Sequence, residues 1–305
     1  MKKPILTIGM PVFNEQNYIA KAIESLLAQT YKDFILIISD NASTDRTPKI
    51  SNYYAAQDNR IIYIRHSKNR GAFFNFKCVL EKAKTPFFMW ASGHDMWHPQ
   101  FIEKLLPLLQ KENLVLVYPQ SREIKIDGTE GEIYEDDYTT VNIDKPAERY
   151  LHFLKRVAKC NIIHGIWRTD VLKNCWLKPI ISYDVLLLLD ASFKGKFKQQ
   201  KEILFFRRIV CQGEDKYHRQ YAMITGKYTQ KQPPPFFLKG EFIFENVKLI
   251  FNQNFLNIFS KFSLSIRTIC FWIKQWHIKP ILVKTLKAIL PNKIYFLIKN
   301  KVKKK

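Results

Sequence analysis

Apolar and polar positions alternate between two periods along the first hundred residues. ILTIGM, FILIISD, RIIYIRH and PFFMWAS are short β-rich runs. Between them lie stretches with helical spacing. NYIAKAIESLLAQ puts Ile19, Ile23, Leu26 and Leu27 on one face; STDRTPKISNYYAAQ opens on cap-type residues with Pro48 near its start; GAFFNFKCVLEKAK follows the third strand. Strand alternating with helix predicts a mostly parallel sheet built by crossover connections.

Each predicted strand ends in a polar loop: PVFNE, DNASTD, HSKNRG and GHDMW. Ligands of open α/β sheets bind outside the carboxyl ends of the strands, so four such loops on one edge predict one site. Downstream, the pattern predicts a helix over 99–112, a strand at LVLVY, and an acidic, turn-rich hairpin or loop over 121–145. A helix at AERYLHFLKRV, a strand at NIIHGIWRT, a helix at SYDVLLLLDASFKG and a strand at KEILFFRR follow. The consecutive prolines of KQPPPFF, 231–237, stop helix and strand alike and mark a boundary. The expected organisation is a domain over 1–232, with halves 1–120 and 121–232, followed by a basic amphipathic helical region over 236–305.

Composition sharpens this picture. The 305 residues suffice for one large α/β domain with an appendage. Five cysteines without a C-x-x-C pair fit a reducing compartment better than a disulfide scaffold or zinc site. The six-residue apolar run after the basic start is too short for a signal peptide, so a cytoplasmic protein is expected. The net charge is +22, and 236–305 hold 14 Lys and Arg against two acids. Aromatics among those lysines suit the interface of an anionic membrane, and the longest uncharged run there, 12 residues, is too short to span one. Packing of that region on the preceding domain is the alternative.

The run TIGMPVFNEQNYIAKAIESLLAQTYKDFILIISDNASTDRT, continued by NRGAFFNF and WASGHDMWHPQFIEKLL, resembles the family 2 glycosyltransferases over about two thirds of the chain. The resemblance implies a GT-A fold, with a Rossmann-like central sheet and flanking helices, that binds a nucleotide diphospho-sugar. It places Pro11, Val12, Asn14 and Glu15 around the nucleoside, Asp40 near the base, and Gly71 and Asn75 in the same pocket. A turn-and-cap role for Asp40, Asn41, Ser43 and Asp45 is the competing account.

The family's acidic motif after the fourth strand holds a divalent cation, Mn2+ or Mg2+, that bridges the donor diphosphate. Here Asp95 stands at its last acid and His94 in the place of the acid before. One carboxylate with phosphate oxygens and water suffices for such a cation. His94 is open to three roles: cation ligand, donor to the diphosphate, or structural replacement. His98, Trp90 and Trp97 suit helix-start and packing positions.

The family's catalytic base is an acid at the start of a later helix, which Asp184 matches; Ser182 is an equal candidate for the cap there. Glu214 and Asp215, then Asp136 and Asp137, are the alternatives. Arg207 and Arg208 stand where relatives carry a basic residue near the diphosphate, with Arg168 a further candidate. The implied activity is inverting transfer of one sugar, from a UDP-sugar for preference, to a hydroxyl of a lipid-linked or surface saccharide at the inner membrane face. A nucleic-acid-binding protein is the rival, though no recognised motif supports it and no nucleic-acid partner is expected. A catalytically degenerate relative is the other.

Overall fold

The computed structural model describes residues 3–111, 114–135, 137–157, 160–210, 221–222, 224, 226 and 235–276. Its first strand, β1 (Leu6–Val12), is buried along its whole length and lies between β2 (Phe34–Asp40) and β4 (Phe87–Trp90), parallel to both. β3 (Ile61–Arg65) adds in parallel beside β2. A strand covered on both faces needs near-continuous apolar sequence, which LTIGMPV supplies.

Beyond β4 the direction alternates. β8 (Ile166–Arg168) is antiparallel to β4 and to β6 (Leu114–Ile124), so β6 runs with β4; β9 (Lys196–Arg208) runs parallel to β6. β5 (Met96–Trp97) closes the far edge against β9, and β7 (Glu130–Tyr134) forms a hairpin with β6. The order is β3-β2-β1-β4-β8-β6-β9-β5. The carboxyl ends of β1 to β4 and of β9 therefore share one edge.

Helices cover both faces. α1 (Ile19–Leu27) buries Ile19, Ala22, Ile23 and Leu26, so the stripe runs through Ala22, with Leu27 only half-buried at its margin. With α4 (Phe101–Lys111) it covers one face, where Ile8, Met10, Leu36 and Leu105 pack. α3 (Ala72–Lys82), α5 (Pro146–Arg156) and α7 (Tyr183–Lys194) cover the other, around Trp90, Tyr118, Trp167 and Phe197. α2 (Thr47–Gln57) and the short α6 (Thr169–Lys173) complete the set before the C-terminal helices.

NIIHGIWRT is not one strand: a 3-10 turn over Asn161–His164 precedes β8, and α6 follows. Gly165 explains the tightness, since a Cβ there would stand 2.4 Å from the Val117 carbonyl oxygen. The acidic stretch after Ser121 extends β6 and forms the β6–β7 hairpin, turning at Gly128 with φ 91°.

The boundary expected at 231–237 runs into the start of α8 (Pro235–Phe251), and that helix returns to the core. α8 pairs with α9 (Ile258–Gln275), and Phe242, Leu249, Ile269 and Trp272 join the cluster around α5 and α7. Polar ties fix the seam. Tyr150 donates to Asn246 and is bonded to the Thr268 hydroxyl; Trp176 donates from its ring to Glu245; Gln253 donates to Asp190. The Lys- and Phe-containing sequence over 235–276 is thus in large part a packed layer. Among the described residues, no helix is long and apolar enough to cross a membrane.

Candidate active site

The loops after β1 and β2 are tied together by backbone N–H groups reaching side chains across the gap. Asn14 donates to Ser43 Oγ (2.9 Å), Glu15 to Thr47 Oγ1 (2.8 Å) and Gln16 to Asp45 Oδ2 (3.0 Å). In return, the Asn14 side chain accepts from the Thr44 backbone N–H. Burial would raise the Asp45 carboxyl, but hydrogen bonds from Thr47 and Gln16 outweigh it and hold the group below the usual carboxylate range.

Asp40 sits at the end of β2, fully buried. Its Oδ1 accepts from Ser43 N–H (2.8 Å) and its Oδ2 from the Tyr63 hydroxyl (2.8 Å). This carboxylate organises the loop, and its neighbour Asn41 presents itself to the cleft instead.

That cleft has a volume of about 180 Å3 and is lined by Pro11, Val12, Glu15, Asn75 and His94 from the expected set. Phe13, Asn41, Asn69, Phe76 and Ser92 also line it. Small-molecule sites usually run to roughly 300–1,000 Å3, so the cleft fits one end of a larger ligand. Asn75 is buried in its wall. Its amide nitrogen donates to the carbonyls of Val12 (3.2 Å) and Ser39 (2.8 Å), which fixes the side chain's orientation and leaves Oδ1 buried without a partner. Gly71 begins α3 with φ 88°, a conformation that strains any residue bearing a Cβ, and its carbonyl accepts from Asn41. Asn69 receives hydrogen bonds from both Asn41 and Gly71 N–H. Asn14, Asp40 and Gly71 shape these loops without lining the cleft.

At the cleft's mouth His94 Nδ1 lies 2.8 Å from Glu15 Oε1. Burial lowers the imidazole's pKa, yet the Glu15 hydrogen bond and the charges of Asp95 and Glu15 carry it above the usual histidine value. Asp95 is 2% exposed, and its Oδ1 accepts from the backbone N–H of Arg208 (2.7 Å). The pairing of β5 with β9 brings these two residues together.

Arg208 is buried beside the His94–Asp95 pair. Its guanidinium donates to the carbonyls of His94 (3.1 Å) and Lys125 (2.6 Å) and lies over the Tyr18 ring. Arg168 is likewise spent, on the carbonyls of Leu114 and Leu109. Trp90 and Trp97 are core residues, and His98 accepts from Gln100 N–H at the start of α4.

Arg207 lies near both His94 and Asp184. It donates to Asn161, and its charge acts on His94, His164 and Asp184 together. His164 was not singled out from the sequence. It bonds the Trp90 carbonyl through Nδ1 (3.2 Å), packs on Phe205 and is pushed below the usual histidine value by burial. Only the fold brings it to Asp95, since no motif marks it.

Asp184 is the second residue of α7, half-buried. Burial raises its pKa above the usual carboxylate range, against hydrogen bonds from Val185 N–H and Cys160 and the charge of Arg207. Ser182 occupies the cap position with φ 60° and no side-chain cap bond, so the helix start is strained rather than capped. Asp137 accepts from Thr139 N–H in its own turn; Asp136, Glu214 and Asp215 lie outside the described residues.

A small cluster joins the two halves. Ile181, Ile224 and Leu238 pack with Phe73 and Tyr183, linking the start of α3 to the start of α7. Gly226, at φ 70°, lies against the backbone of Arg70 and Gly71.

For a divalent cation the donor set is sparse. Among the described residues no group of three or more His, Cys, Asp or Glu is placed to hold a metal ion. One carboxylate, Asp95, with an imidazole beside it fits a cation that arrives with phosphate oxygens, and does not fit a preformed cage.

The Glycosyl transferase family 2 model matches residues 7–174, more than half of the chain. The chain belongs to that family. Among its relatives, an uncharacterized glycosyltransferase of Rickettsia prowazekii is 28% identical over 207 residues, 67% of this chain and 59% of its own length. One from Rickettsia typhi is 28% identical over 194 residues, 63% of this chain and 55% of its own. The chain therefore spans little more than half of these family 2 relatives. Among solved structures, S. aureus TarS 1-349 in complex with UDP-GlcNAc aligns with TM-score 0.66 at 13% identity, over 90% of this chain and 73% of that one. The family 2 fold is thus GT-A, as TarS has it.

Proposed function

We propose that the protein transfers one sugar from a nucleotide diphospho-sugar, a UDP-sugar for preference, to a hydroxyl of a saccharide acceptor, with inversion. The acceptor is lipid-linked or surface saccharide met at an anionic membrane face on the cytoplasmic side. The observation that carries this reading is the grouping at one sheet edge of the cleft, the His94–Asp95 pair, and Asp184 across Arg207.

In this mechanism the nucleoside occupies the cleft, and Pro11 to Glu15, Asn41 and Asn75 orient it. The diphosphate extends past His94 towards Asp95. Asp184, ionised, accepts the proton of the acceptor hydroxyl as its oxygen bonds to the anomeric carbon. The bond from that carbon to the diphosphate oxygen breaks on the opposite face, and the nucleoside diphosphate departs. Arg207 offsets the negative charge that gathers between the two halves. A divalent cation bound with the donor would be held by Asp95, with His94 beside it, and would supply Lewis-acid stabilisation of the leaving diphosphate.

The test is a panel of nucleotide sugars read by release of the nucleoside diphosphate, with UDP thermal shifts in parallel. Turnover of a UDP-sugar and a UDP-dependent rise in Tm are expected. A steep salt-dependent affinity for oligonucleotides with no nucleotide-diphosphate response would overturn the proposal.

A further inference from the structure

The turn between α8 and α9 carries aromatic side chains that the fold leaves uncovered. Phe259 is 82% exposed, Phe255 54%, Ile258 51% and Phe244 51%, while Phe262 meets Phe251 edge-on at 5.3 Å. Monomeric proteins seldom leave so many large apolar groups together without a partner. Cations border the patch. The Lys248 amine stands over the Phe244 ring at 4.3 Å, and Lys261 donates to the Phe251 carbonyl. The acid nearest them, Glu245, is turned inward to Trp176 and to Lys248.

We infer that this turn is a lipid-inserting edge: Phe255, Ile258 and Phe259 enter the interface of an anionic phospholipid bilayer while the neighbouring cations meet its headgroups. Apolar tips framed by Lys and Arg are what a helix lying in the interface requires, and the edge lies upon the bilayer without crossing it. Charge argues for lipid over a second copy of the chain, because two such cationic edges repel. The inference deepens the membrane part of the proposal above by naming the surface, and it does not depend on the sugar chemistry.

The placement is compatible with catalysis. α7 and α8 lie side by side in the same direction: Ile181 and Tyr183 pack with Leu238 at one end, and Asp190 and Phe193 meet Gln253 and Phe255 at the other. Nine residues of α7, about 14 Å of helix, separate Asp184 from Phe193, which meets the aromatic edge at Phe255.

Co-sedimentation of the full chain with phosphatidylglycerol/phosphatidylcholine vesicles tests this, without donor present. Ile258→Ser/Phe259→Ser is expected to lose at least tenfold in partitioning, with its Tm and its nucleoside diphosphate release on soluble donor unchanged. Replacing Lys301, Lys303, Lys304 and Lys305 by Gln is expected to reduce the preference for anionic over pure phosphatidylcholine vesicles and leave binding measurable. Unchanged partitioning of the double variant would overturn the inference, as would binding governed by the terminal lysines alone. A wild-type dimer that the double variant dissociates, in a protein that ignores vesicles, would make the patch an interface between copies and also overturn it. Vesicle binding without any sugar turnover would refute the transferase proposal and leave this one standing.

Discussion

Asp184 is shifted upward, the opposite direction to Asp45 and Asp58. Burial makes the folded protein hold its proton more tightly than the unfolded chain does. Its stabilising contribution is therefore full below the unfolded pKa and is lost as pH rises through the folded one. Ionising it near neutrality costs stability and yields the form that the proposed base requires. We expect kcat/KM to rise with pH through a value above the usual carboxylate range. Asp184→Asn should lower kcat by roughly 10²–10⁴-fold while keeping or raising Tm at neutral pH. A cap with no chemistry would lose stability and leave the pH profile in place. At this scale the sequence was partly legible. Pro11, Val12, Glu15, Asn75 and His94 line the cleft because loop position follows from strand position. The surroundings of Arg208 were not legible, because a basic residue at a strand end looks the same whether it faces outward or reaches the His94 and Lys125 carbonyls. His164 was invisible because its neighbours come from β4 and β9, far away in sequence.

Among the elements, α2 shows how a helix can serve without an apolar stripe. It buries only Thr47 and Ser51, and its worth lies in its first turn, where Thr47 and the preceding Asp45 receive N–H groups from the β1–α1 loop. Asp45 is held below its ordinary pKa, so its contribution is present above the unfolded value and disappears as pH falls through the folded one. Asp45→Ala is expected to cost about 2 kcal/mol at pH 7, a loss that shrinks at pH 3, in denaturant titrations. The donor KM should rise with it. The cap-type residues STD announced this helix correctly, yet the helix begins only at Thr47, because Asp45 is engaged across the loops. The strand–helix alternation up to β4 was readable since period and turn chemistry agree there. The segment after Cys160 was not, because Ile162, Ile163, Ile166 and Trp167 are all buried and give no period to separate strand from turn.

For the whole molecule, composition told less than it suggested. The aromatic, lysine-rich sequence after 235 reads equally well as a layer on the core or a surface for lipid, because an amphipathic pattern fixes which face is apolar and leaves open what covers it. In the fold the two answers divide the residues between them. Phe242, Leu249 and Trp272 face α5 and α7, while Phe255 and Phe259 face outward. The cluster of Phe73, Ile181, Tyr183, Ile224 and Leu238 has a thermodynamic meaning of its own. It spans the seam between the loop that lines the nucleotide cleft and the strained start of the helix bearing Asp184. A nucleotide that stiffens the first must then quieten the second, and linkage makes the effect mutual. UDP should slow amide exchange at 181–186 as well as at 71–76, and Phe73→Ala should confine the protection to the cleft. On the proposed mechanism, the arrival of the leaving group would thereby settle the base that helps to expel it.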